Sequence, residues 1–144
     1  MGYTVYVDIP EDDIKGLTSS QELVRRVKYV NNLCAKYGAG NCLYVSIHVN
    51  AAAADGKWHN ATGWETYTTT GKTGSDALAT FLYKRAEKNM IGKKIRTDYT
   101  DGDPDKESNF YVIKNTKCVA VLTENFFQDT KADVEYLQSE LGKH

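Results

Sequence analysis

Two apolar runs, each ending in polar side chains, set the frame for this chain. Leu43-Tyr44-Val45 leads into Ser46-Ile47-His48-Val49-Asn50 and then into four alanines. Val119-Ala120-Val121-Leu122 leads into Thr123-Glu124-Asn125-Phe126-Phe127. Strand alternation puts Ser46, His48 and Asn50 on one side and Ile47 and Val49 on the other. Gathering polar groups at the end of a buried strand costs free energy unless something uses them. In an open α/β sheet that position is where ligands bind. His48 and Glu124 therefore read as parts of one site, a metal ligand beside a general base.

The rest of the chain supplies the elements around these runs. Residues 3–9 alternate and are rich in aromatic and β-branched types, which predicts a strand that Pro10-Glu11-Asp12-Asp13 stops. Ser19 with Glu22 has the spacing of a capping box. Leu23, Val27, Val30, Leu33, Cys34 and Tyr37 then follow helical spacing up to Gly38. This helix returns to a strand at 43–48, and strand, helix, strand implies a parallel pair. A polar loop at 51–60 carries Trp58 and His59, and a strand follows at 63–70. After a turn at 70–74, Ser75 is placed to cap a helix with Leu78, Phe81, Leu82, Ala86 and Met90 on its apolar face. A polar loop at 92–107 precedes strands at 110–114 and 119–123. A last helix at 131–141 presents Val134, Leu137 and Leu141. The expectation is an α/β fold in one domain over residues 1–144, with a mixed, mostly parallel sheet of about five strands flanked by helices.

Composition narrows the function. Eighteen basic residues against nineteen acidic give a net charge of −1, which offers no footprint for nucleic acid and none for an anionic membrane surface. No apolar run approaches the ~20 residues of a membrane span, and Met1-Gly2-Tyr3-Thr4 lacks the pattern of a signal peptide. Cys34, Cys42 and Cys118 form no CxxC pair and read as reduced, buried thiols. The aspartates of 98–105 miss the calcium-loop pattern, with Lys106 where a glycine belongs, and read as a turn. No G-x-S-x-G elbow and no glycine-rich phosphate loop is present.

Ser46-Ile47-His48-Val49-Asn50-Ala51 and Val121-Leu122-Thr123-Glu124-Asn125-Phe126-Phe127 match S-I-H-x-N-A and V-L-x-E-x-F-F. Gly63-Trp64-Glu65-Thr66-Tyr67 lies between them, and Leu23, Arg26 and Asn31 fit L-x-x-R-x-x-x-x-N upstream. On these motifs the chain resembles the zinc-dependent N-acetylmuramoyl-L-alanine amidases of the amidase-3 family, in particular endolysin-like members. The resemblance implies a zinc exopeptidase-like fold and peptidoglycan as substrate, cut between N-acetylmuramic acid and L-alanine. It further implies one zinc, with His48 as a ligand and Glu124 as the catalytic base. Such a hydrolase acts on the cell wall.

The family's other two zinc ligands, a histidine in a G-H-G motif and a glutamate on the following helix, have no counterpart in this sequence. The expectation is an N-terminally, and also C-terminally, incomplete domain with an incomplete ligand set. His59, Glu65 or a residue of a second copy are the candidates to replace the absent ligands. Asn50, Trp58 and His59 are the candidates to touch substrate, beside the plainer reading of His59 as a solvated loop residue. The alternative to an amidase is a zinc-free remnant that at most binds cell-wall fragments. A missing strand leaves backbone unpaired on its neighbour, so a homo-oligomer or an exchange of elements is expected.

Overall fold

The structure is a computed structural model describing residues 2–8 and 16–143. Four strands form one sheet in the order β1-β4-β2-β3: β1 (Leu43–Asn50), β2 (Trp64–Thr68), β3 (Lys106–Glu107) and β4 (Val119–Phe127). β1 runs parallel to β4, β2 antiparallel to β4, and β2 parallel to β3. The sheet is thus mixed, as the sequence implies. Helices α1 (Ser19–Tyr37), α2 (Gly74–Asn89), α3 (Tyr111–Lys114) and α4 (Lys131–Gln138) flank it. No helix among the described residues is long and apolar enough to cross a membrane.

Alternation along the strands separates two apolar clusters. Tyr44, Ala120 and Leu122 face Val27, Val30 and Cys34 of α1 and Val112 and Ile113 of α3. Trp64 and Phe126 join Tyr83 and Ala86 of α2, with Tyr136 and Leu137 of α4 against them. Cys34 is buried, Cys42 and Cys118 are half-buried, and all three thiols are free. β4 packs on both faces, with Ala120, Val121, Leu122 and Thr123 all buried, as expected of a central strand covered on both sides.

Several expectations need correction. Residues 3–8 form no strand, and their side chains at Tyr3, Val5 and Val7 are exposed. Residue 9 and the stop at 10–13 lie outside the described residues. The parallel partner of β1 is therefore β4, reached from much farther along the chain. Alternation in a short stretch shows that a strand can form there, and only a neighbour makes it one.

The expected strand at 110–114 is helix α3. Val112 and Ile113 are both buried although adjacent, which alternation forbids, and Lys114 and Asn115 donate to the carbonyls of Phe110 and Tyr111. In its place, Lys106–Glu107 inside the expected polar loop adds the edge strand beside β2.

Both helix starts move upstream. Thr18 with Gln21 forms the capping box of α1, in place of Ser19 with Glu22, and Thr73 with Asp76 that of α2, in place of Ser75. Gly38 closes α1 as expected. The buried face of α2 is Ser75, Ala79, Tyr83 and Ala86, and Phe81 is 58% exposed. The last helix ends at Gln138, and Leu141 beyond it is exposed.

Candidate active site

The two polar strand ends meet. In the β1–β4 register His48 stands opposite Glu124, and in the β2–β4 register Glu65 stands opposite Glu124. Three titratable side chains thus cross the sheet in one row, and residues directly opposite in a ladder share a face. Just past this row the β1–β4 register shifts between His48 and Asn50. Asn125 secures the end of β1 by donating from Nδ2 to the His48 carbonyl at 2.9 Å, while its Oδ1 accepts from Trp64 Nε1 at 3.0 Å.

Glu65 is 1% exposed, yet it is fully engaged. Its Oε2 contacts Arg96 Nε at 2.7 Å and Lys106 Nζ at 2.5 Å. Its Oε1 accepts from Asn50 Nδ2 at 2.9 Å and from the Tyr67 hydroxyl at 3.0 Å. Burial pushes the carboxyl up, but the Lys106 ammonium and the Arg96 guanidinium outweigh it and hold the pKa below the usual range. Glu65 is therefore a fixed anion.

Glu124 is the opposite case. Its Oε2 is buried and has no hydrogen-bond partner among the described residues. Burial first, and then the negative charge of Glu65, push its carboxyl up to about 7. A carboxyl poised there both holds and releases a proton near neutral pH.

His48 is exposed at the edge of a cleft of about 280 Å³ that Leu23, Arg26, Phe110 and Leu122 also line. Its Nε2 lies 3.0 Å from Ser46 Oγ. Partial burial of the ring, and then the Arg26 guanidinium, hold its pKa below that of an ordinary imidazole. At neutral pH it is a neutral ring.

The remaining sequence candidates fall elsewhere or are already engaged. Asn50 serves Glu65 and accepts from the Ala51 amide. His59 Nε2 bonds Asp55 at 2.9 Å, and its backbone amide donates to the Asp129 carbonyl. Trp58 is 58% exposed, with the Lys131 ammonium 5.6 Å from its ring centre. His144 lies outside the described residues. Among the described residues no group of three or more histidines, cysteines and carboxylates is arranged to hold a metal ion.

Arg96 and Lys106 are ion-pair partners of Glu65 that sequence reasoning passed over. Both come from a stretch with no periodic pattern, and only the pairing of that stretch with β2 brings them to Glu65. The Arg96 amide donates to the Trp64 carbonyl, the Trp64 amide donates to the Lys94 carbonyl, and a bridge joins Trp64 to Ile95, which together anchor the start of this stretch.

A protein-family model described as Amidase_3, N-acetylmuramoyl-L-alanine amidase, matches residues 1–144. No curated protein sequence matches the chain. Among solved structures, the N-acetylmuramoyl-L-alanine amidase from Clostridium difficile 630 is 26% identical with a TM-score of 0.63, over 84% of this chain and 57% of that one. The catalytic domain of CwlV, an N-acetylmuramoyl-L-alanine amidase from Bacillus (Paenibacillus) polymyxa var. colistinus, is 28% identical with a TM-score of 0.61, over 84% and 57%. The catalytic domain of the CD27L endolysin, which targets Clostridia difficile, shares the fold at 24% identity and a TM-score of 0.60, over 88% and 57%. The chain spans less than two thirds of the length of each.

Proposed function

This chain belongs to the Amidase_3 family of N-acetylmuramoyl-L-alanine amidases, and from that premise we propose that it acts on peptidoglycan, hydrolysing the amide between N-acetylmuramic acid and L-alanine. The observation that carries this reading is the buried, unpartnered Oε2 of Glu124, set between His48 and Glu65 and poised near pH 7. In this reading Glu124 takes a proton from the attacking water and delivers it to the departing L-alanine amine. Glu65 keeps its charge and so favours the protonated form of Glu124 before the proton is delivered. The cleft beside His48 receives the wall fragment.

Zinc is the cofactor the family resemblance implies, with His48 as a ligand. A catalytic zinc takes three protein ligands. The described residues offer the His48 imidazole, while both Glu65 oxygens are occupied and His59 is tied to Asp55. They do not fit a zinc centre by themselves, and the acid–base role of Glu124 is argued without one.

The test is release of free L-alanine amino groups from purified peptidoglycan. The wild-type chain is expected to release them, and Glu124→Gln to reduce the rate at least ~100-fold. Equal release by both proteins would overturn the assignment of Glu124. The shortfall of ligands favours a second reading, binding of wall fragments without catalysis. That reading expects the chain to co-sediment with insoluble peptidoglycan while releasing no amino groups.

A further inference from the structure

The three cysteines are scattered in the sequence and meet in the fold. Cys34 is a buried residue of α1, 4% exposed, in the apolar cluster that Tyr44 and Ala120 form with that helix. β1 and β4 pair from Leu43 and Val119 onward, so Cys42 and Cys118 flank the first rung of that ladder side by side. Cys42 already has extended backbone, with φ −115° and ψ 149°. By the two-residue period Cys42 shares a face with Tyr44, and Cys118 with Ala120, which is the face that α1 covers. Both pack against the cluster that holds Cys34.

The thiols also interact, with Cys34 at the centre. Burial pushes Cys118 up to about 12 and raises Cys42, and a side-chain hydrogen bond with Cys34 adds to the shift at each. Cys42 acts on Cys118 through charge alone. The cluster lies at the far end of β1 and β4 from His48 and Glu124, and the reaction proposed for that row makes no use of it.

We propose that Cys34 is the resolving thiol of an oxidisable site, closing a disulfide with Cys42 or Cys118 when the chain meets a peroxide. The peroxide oxidises one of these half-buried thiols to a sulfenic acid and is itself reduced, releasing one water. The Cys34 sulfur then attacks the sulfenic sulfur. The S–S bond forms, the S–O bond breaks, and the Cys34 proton leaves with the hydroxyl as a second water. Two thiols and one peroxide thus give one disulfide and two waters, and the third cysteine stays reduced. Because burial keeps these thiols protonated, the step is slow. The bond ties α1 to the start of β1 or of β4. The site stands independently of the amidase reading.

The reduced, purified chain is incubated with excess hydrogen peroxide, its remaining thiols are alkylated, and its peptides are mapped by mass without reductant. The wild type is expected to lose two of its three free thiols and to yield a linked peptide pair containing Cys34, which dithiothreitol separates. Cys42→Ala and Cys118→Ala are each expected to keep a disulfide through Cys34, and Cys34→Ala to form none. Far-ultraviolet circular dichroism checks the fold of Cys34→Ala, and the map of the wild type decides the matter without that variant. Three reduced thiols overturn the proposal, as does a sulfinic acid in place of the disulfide. A Cys42–Cys118 bond, in the wild type or in Cys34→Ala, overturns the role of Cys34. A disulfide that only joins two chains overturns the site within one chain.

Discussion

Glu65 and Glu124 face each other across the antiparallel β2–β4 pair, and their surroundings shift the two carboxyls in opposite directions. Arg96 and Lys106 keep Glu65 ionised, while burial and that same negative charge carry Glu124 up to about 7. Two identical side chains on neighbouring strands thus have different chemistry, because only one has counter-charges.

The Arg96–Glu65 pair predicts a large effect on stability. Arg96→Met leaves a buried carboxylate with one cation instead of two, and breaking a buried pair costs about 3 kcal/mol. The loss is expected in urea unfolding at pH 8. It is expected to shrink as the pH is lowered, because the variant's carboxyl, with one cation fewer, takes up a proton more readily than that of the wild type. A change below about 0.5 kcal/mol at pH 8, the level of an ordinary surface substitution, would contradict the role given to Arg96.

Asp105 predicts a pH dependence. It is 2% exposed, and burial, then the neighbouring Asp103 carboxyl, push it up to about 7 although Thr68 donates to its Oδ2 at 2.7 Å. Between the unfolded carboxyl value of ~3.9 and about 7 the folded chain holds a proton that the unfolded chain has released. Stability therefore falls as pH rises through that window, by an amount on the order of a few kcal/mol. Glu124 contributes with the same sign. Asp105→Asn is expected to lose less stability than wild type between pH 5 and pH 8 and to be the more stable protein at pH 8. Parallel stability–pH curves for the two proteins would rule this out.

Gly63 predicts a local strain. Its φ is +121°, and an added Cβ would stand 2.9 Å from both the Lys94 carbonyl oxygen and Arg96 Cγ. Gly63→Ala is expected to cost about 1–3 kcal/mol, through the backbone and through displacement of Arg96 from Glu65. Thermal unfolding measures the cost, and an unchanged midpoint would contradict the close approach at this glycine.

The donor set predicts weak zinc retention. With His48 as the imidazole of the row, the dialysed chain is expected to carry well below one zinc per chain, about 0.2 or less, because a stable site needs more ligands. Elemental analysis at known protein concentration decides this. A stoichiometric value would place further ligands outside the described residues or on a second copy.

The candidate site was legible where chemistry coincides with local pattern. His48 and Glu124 each end an apolar run, and the register of β1 and β4 makes them neighbours. Glu65 was visible as a strand residue and a candidate ligand, but its engagement by Arg96 and Lys106 was not. Those residues come from a polar stretch whose only regular element is the two-residue strand Lys106–Glu107. Residues 3–9 and 110–114 carried strand-like composition. Residues 3–8, the described part of the first, form no strand, and the second becomes helix α3 because Val112 and Ile113 both enter the core against α1.

The sequence by itself determined the long amphipathic helix α1, the strands β1, β2 and β4, and the polar ends of the two runs. These follow from the 3.6- and 2-residue periods of the backbone, which every segment carries locally. Tertiary structure alone decided that β4 lies between β1 and β2, that β3 forms at all, and that the Glu65 carboxyl is shifted down while that of Glu124 is shifted up. Strand partners, burial and counter-charges are supplied by residues distant in the chain, and no local period encodes which of them arrive.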